Sequence, residues 1–110
     1  MTGVDLGATR VGRDFIRKGA NLRDSNFEGG NFIGTRMFRI HLESANMSNT
    51  DLTHADISSA SLYQADFSGA NLTNANLELS DIDEVSFEGA IFCNTKWTDG
   101  TTRNDDCPTP

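Results

Sequence analysis

The side chains best suited to acid–base, nucleophilic or metal chemistry in this chain are His41, His54, Cys93, Cys107 and the carboxylates Glu78, Asp81, Asp83, Glu84 and Glu88. Two histidines could share a metal or relay a proton only if the fold brought them together. Paired carboxylates catalyse in a cleft that excludes water. Two cysteines without a neighbouring histidine leave a disulfide, two free thiols or part of a metal site as readings. H-E-x-x-H, G-x-S-x-G and phosphate-binding glycine motifs do not occur. Asn46-Met47-Ser48 and Asn71-Leu72-Thr73 match the glycosylation sequon, but an internal repeat generates that pattern. Whether any of these groups meet depends on what positions them.

What positions them is that repeat, from Ala20 to Trp97. Every fifth residue is large and apolar: Leu22, Phe27, Phe32, Met37, Leu42, Met47, Leu52, Ile57, Leu62, Phe67, Leu72, Leu77, Ile82, Phe87, Phe92 and Trp97, sixteen centres without exception. Two residues before most centres stands a small residue, such as Ala45, Ala55, Ala65 or Ala75; Ile40 and Val85 are the oversized pair. A strict repeat outranks every other sequence signal.

A period of five excludes the regular elements. On an α-helix a five-residue step turns about 140°, which scatters the centres around the axis. On a flat strand successive centres fall on opposite faces. A chain that turns a corner once per pentad keeps both the small residue and the centre inside. That is a β-solenoid, each coil bonded to the coils above and below. Gly29, Gly34, Gly69 and Gly89 fall at the corner, where a permissive backbone is useful.

Ala55-Asp56-Ile57-Ser58-Ser59, Ala65-Asp66-Phe67-Ser68-Gly69 and Ala70-Asn71-Leu72-Thr73-Asn74 resemble the A-(D/N)-L-x-x unit of pentapeptide-repeat proteins. The resemblance covers about three quarters of the chain. It implies an all-β fold, a right-handed quadrilateral parallel β-helix with four pentads per coil. Four sides also place Phe27, Met47, Phe67 and Phe87 in one column, whereas fifteen-residue coils mix Phe with Leu and Ile. About four coils at ~4.8 Å each would stand roughly 20 Å tall. The resulting division is a cap and irregular first coil over 1–19, the β-helix over 20–97 and a cap or tail over 98–110. Gly12-Arg13-Asp14-Phe15 resembles the start of many members; here Phe15, Leu6, Val11 and Ile16 are out of phase with Leu22 and are expected to cover the first coil's edge. Phe92-Cys93-Asn94-Thr95-Lys96-Trp97-Thr98-Asp99-Gly100 with Asp106-Cys107 is similar to the ending of many cyanobacterial and chloroplast-lumen members, which implies a Cys93–Cys107 disulfide folding the tail back as a cap. If the pair is oxidised, a thylakoid lumen or periplasm is favoured; otherwise the cytoplasm is.

Composition suits this architecture. Only 36% of residues are hydrophobic, because two inward residues in five suffice. The net charge of −7 argues against nucleic-acid binding. Residues 1–55 hold seven basic and six acidic groups, residues 56–110 two basic and ten acidic, so one end is near-neutral and the other acidic. The acidic end reads as a solvated surface or as a docking face for a basic partner. No stretch approaches the ~18 apolar residues of a membrane span, so no membrane insertion is expected.

On a filled prism the chemistry thins out. His41 and His54 should project from roughly opposite sides, and the acidic cluster has no cleft. We expect no enzyme and no cofactor. Ile33 and Phe38 stand outward on adjacent sides with Ile40 in a small slot, and Tyr63 stands outward elsewhere; these are a candidate partner patch or a locally covered corner. The leading function is a non-catalytic protein-interaction or structural scaffold with an unknown protein partner, as a monomer or weak dimer. The alternative is a DNA mimic acting on a DNA-binding enzyme such as gyrase, which some family members protect. Duplex DNA carries a charge per ~1.7 Å of axis, several-fold denser than this chain.

Overall fold

The computed structural model describes residues 21–108. The segment expected to cap the first coil, including Leu6, Val11, Phe15 and Ile16, lies outside them, as do the last two residues. From the first described residue onward the chain pairs with itself in parallel at one spacing. Asn21 lies beside His41, His41 beside Ser61 and Ser61 beside Asp81, and the series ends with Asn76 beside Lys96. Every such pair is twenty residues apart. The chain is therefore a β-solenoid whose successive rungs stack in register, with residues twenty apart forming columns along the axis.

Each pentad reaches both neighbouring rungs. Leu52 donates its N–H to the Asn71 carbonyl at 2.8 Å and His54 to Thr73 at 3.0 Å, one rung on. Asp51 donates to the Gly30 carbonyl at 3.0 Å, one rung back. Between these contacts the chain bends. The carbonyl of a centre accepts from the residue three further on, as Leu62 does from Ala65 at 2.8 Å. The corner residue two after the centre takes a positive φ in every pentad from Asp24 to Asn94, between 53° and 73°. For an L-residue this region costs about 1–2 kcal/mol. Gly29, Gly34, Gly69 and Gly89 avoid the cost. Arg39, Gln64, Leu79 and Glu84 accept it, and Arg39, Gln64 and Leu79 gain the inter-rung bond that their N–H makes only in this conformation.

The pairings are too short to count as strands. The only pair that does, among the described residues, is β1 (Thr95–Lys96) antiparallel to β2 (Thr102–Arg103).

The core is the stack of centres and small residues. Phe27, Phe32, Met37, Leu42, Met47, Leu52, Ile57, Leu62, Phe67, Leu72 and Leu77 are fully buried. Three buried hydroxyls in small slots are satisfied by backbone: Thr50 donates to the Met47 carbonyl at 2.7 Å, Thr95 to Leu72 at 2.7 Å, and Ser80 to Ile57; the buried Thr35 hydroxyl finds no partner among the described residues. Ile40 fits its slot with no exposure at all. The expectation of sixteen buried centres holds less well at the ends. Leu22, Ile82, Phe87 and Trp97, with Val85 in a small slot, are only partly buried. Ile82, Val85 and Phe87 belong to the last rung, which has no complete rung above it.

Candidate interaction surfaces

With the interior filled, the outward side chains carry whatever the molecule does. Most residues just before a centre are Asn or Asp, and their side-chain oxygen accepts the N–H of the residue just after the centre. Asn26 holds Glu28 at 3.0 Å, Asp56 holds Ser58 at 3.0 Å, and Asn76 holds Glu78 at 2.9 Å. Where Ser or Thr follows the centre, its hydroxyl donates to the same oxygen at 2.6 Å, as Ser48, Thr53, Ser58, Ser68 and Thr73 do. These side chains close the bend, and their remaining valences face out in stacked rows.

One wall is charged and aromatic. Arg23 Nε lies 3.4 Å from Glu43 Oε1, and His41 Nδ1 lies 3.5 Å from Glu43 Oε2. On the next rungs Tyr63 donates its hydroxyl to Glu84 at 3.3 Å, and Gln64 donates to the other oxygen at 3.1 Å. The negative charge of Glu84, followed by that hydrogen bond, pushes the Tyr63 phenol above its ordinary range. Tyr63 is thus engaged with acid, although 39% of its surface is open.

The other patch candidates separate. The register puts Ile33, Phe38 and Tyr63 in three different columns. Ile33 is 41% exposed. Phe38 is half-buried, with the Arg39 guanidinium 5.1 Å from its ring centre. Two exposed apolar residues were missed: Leu79 at a corner, 75% exposed, and Ile91 in the place of an Asn or Asp, 38% exposed. Pentad position alone marks both as anomalies. His41 and His54 fall in separate columns, 21/41/61 and 34/54/74, and share no site. Among the described residues no group of three or more His, Cys, Asp or Glu is placed to hold a metal ion. No helix there is long and apolar enough to cross a membrane.

The C-terminal tail returns over the last pentads. Cys93 and Cys107 form a disulfide. Trp97 donates its N–H to the Thr101 carbonyl at 2.7 Å, and Asp106 donates to Phe92 at 2.9 Å. The rings of Phe87, Phe92 and Trp97 lie mutually 5.4–5.5 Å apart, and the Arg103 guanidinium covers Phe92 and Trp97 at 4.1 and 4.5 Å. Asp105 holds that guanidinium at two points, 3.1 and 2.7 Å. The same hydrogen bonding raises the Arg103 pKa and lowers that of Asp105.

A comparison with known families fits this repeat: the description "Pentapeptide repeats (8 copies)" matches residues 35–74 and 60–96, more than half the chain. The chain belongs to the pentapeptide-repeat family. Among solved pentapeptide-repeat structures it is similar to alr5209 of Nostoc Pcc 7120, at 35% identity over 73% of this chain and 67% of that one, TM-score 0.63. It is also similar to AT2G44920 from the Arabidopsis thaliana thylakoid lumen, at 28% identity over 94% of this chain and 70% of that one, TM-score 0.63. Rfr23 of the cyanobacterium Cyanothece 51142 shares the fold at 23% identity over 87% of this chain and 86% of that one, TM-score 0.60. No curated protein matches.

Proposed function

We propose that this pentapeptide-repeat chain is a non-catalytic scaffold that presents rigid polar walls to a protein partner. The observation that carries this reading is the division of labour in the pentad. Inward residues fill the core, and outward residues stack twenty apart in rows fixed by backbone hydrogen bonds. A twenty-residue rung is four pentads, which supports a quadrilateral rung, right-handed as in the family, with about four coils. The proposed division is a cap and irregular first coil over 1–19, the β-helix over 20–97 and a cap or tail over 98–110.

The docking face includes Ile33 with Phe38, adjacent pentads of one rung, and separately Tyr63. The disulfide and the similarity to a thylakoid-lumen protein favour an oxidising, extracytoplasmic compartment such as a thylakoid lumen or periplasm. Affinity capture from the source organism tests the reading, with Ile33→Asp and Phe38→Asp as controls. A partner retained by the native chain and lost by either variant supports it. Inhibition of purified gyrase in a supercoiling assay would instead favour the DNA-mimic alternative.

A further inference from the structure

The C-terminal end of the solenoid is capped over only half its cross-section. One rung back, Leu62, Gln64, Phe67 and Gly69 donate their N–H groups to the carbonyls of Asp81, Asp83, Ser86 and Glu88 at 2.8–3.0 Å. In the last rung the tail supplies substitutes for two of the four sides. Phe92 N–H meets the Asp106 carboxylate at 3.1 Å, Asn94 N–H meets the Asn104 side chain at 2.7 Å, and Trp97 N–H meets the Thr101 carbonyl at 2.7 Å. Over the other two sides nothing among the described residues stands in. Among the described residues, the N–H groups of Ile82, Glu84, Phe87 and Gly89 have no acceptor. Beneath them Ile82, Val85 and Phe87 are only partly buried.

An unpaired backbone edge over a partly covered apolar floor is a template for another chain. The surroundings say which kind. Asp81, Asp83, Glu84 and Glu88 are all exposed along this edge. The only cations in residues 56–110 are Lys96, 3.9 Å from Glu78, and Arg103, held by Asp105. Among the described residues none of the four edge carboxylates is in an ion pair. We propose that it receives an extended basic segment of a partner polypeptide, which adds as the missing half-rung. To follow the template that segment must repeat the pentad: a small residue and an apolar residue two apart facing in, Lys or Arg between and after them facing the carboxylates, and a glycine at the corner. A second copy of this chain brings its own acidic edge and fits an end-to-end contact poorly. The inference rests on the scaffold reading and assigns it a partner chemistry.

The probe is acetyl-Ala-Lys-Leu-Lys-Gly-Ala-Lys-Leu-Lys-Gly-amide, titrated into the isotopically labelled full chain. Controls are the same peptide with Glu for Lys, and a scramble that breaks the apolar spacing at constant composition. Binding should shift and protect the amides of Ile82, Glu84, Phe87 and Gly89, be absent for the Glu peptide, and be at least several-fold weaker for the scramble. Asp83→Lys with Glu88→Lys, both at exposed positions, should weaken it about tenfold. Equal binding of the scramble, shifts mapping elsewhere, or no binding would overturn the proposal. So would self-association in sedimentation that Asp83→Lys alters, since that gives the edge to a second copy. Capture of a partner unaffected by these charge reversals would sink this inference and leave the scaffold reading standing.

Discussion

Arg103 lies with its guanidinium 4.5 Å from the centre of the Trp97 ring, and the same group covers Phe92 at 4.1 Å. A cation over two aromatic faces, at the point where the tail crosses the last pentads, makes the cap a packed structure rather than a loose end. Trp97 is the one tryptophan in the chain, so its emission reports on the cap. Arg103→Ala should lower stability by about 1–2 kcal/mol, mostly through the lost stacking. It should also red-shift Trp97 emission in the folded state. Unchanged emission and stability would show that the guanidinium is a bystander.

Acid should narrow the difference between the wild type and that variant. Asp105 has its pKa lowered, first by its hydrogen bond to Arg103, so its folded value lies below the ordinary carboxylate range. A depressed folded pKa contributes stability above the unfolded value and loses it as pH falls through the folded one. The wild-type advantage over Arg103→Ala should therefore shrink below about pH 4. A gap that widens on acidification would contradict the pair. At the alkaline limb the sign reverses for Tyr63, whose pKa is raised chiefly by the charge of Glu84. Its contribution is present below the unfolded value and lost as pH rises through the folded one, and Glu84→Gln should reduce that dependence while Asp83 and Asp81 keep part of it.

The Cys93–Cys107 bond closes a loop of sequence separation 14. Reduction, or Cys93→Ala with Cys107→Ala, should cost about 3 kcal/mol. Urea midpoints with and without reductant measure it. An unmoved midpoint would mean that the tail adds nothing to the solenoid's stability.

Side chains that close corners should matter for their acceptor atom rather than their charge. Asp56 accepts both the N–H and the hydroxyl of Ser58, at 3.0 and 2.6 Å. Asp56→Ala should lose about 1 kcal/mol, and Asp56→Asn should lose little because the oxygen remains. If both substitutions cost the same, the carboxylate's charge is what counts.

Inside and outside should differ sharply. Leu62 is fully buried, and Leu62→Ala should cost about 2–5 kcal/mol by leaving a cavity. Leu62→Lys should unfold the domain, since an inward charge has no partner. Leu79→Ser, at an exposed corner, should be near neutral. Retention of a cooperative melt by Leu62→Lys would refute the register.

The period was legible in the sequence because the inward slots admit only two kinds of residue, and sixteen consecutive centres obey that rule. The corner was legible through Gly29, Gly34, Gly69 and Gly89, which sit where every other pentad puts a less suited residue in the same left-handed conformation. The job of Asp56 or Asn76 was not legible, because a polar residue on an outer wall reads equally well as solvated or as an acceptor for a particular N–H. Nor was the partly covered end. Ile82 and Phe87 obey the same spacing as Leu62 and Phe67, and only the path of the tail decides which centres stay covered. Phe38 is half-buried with the Arg39 guanidinium over its ring, a cover that its outward place in the pentad leaves open.

Spin labels can read the twenty-residue stacking directly. Ser58 and Glu78 share a column one rung apart, while Ser58 and Ser68 lie half a rung apart. Cysteines introduced at these positions, with the native disulfide intact, would carry nitroxides for distance measurement. The stacked register predicts strong coupling for 58 with 78, at roughly one rung spacing of ~5 Å between backbones, and a much longer distance for 58 with 68. A shorter distance for the pair nearer in sequence would contradict it.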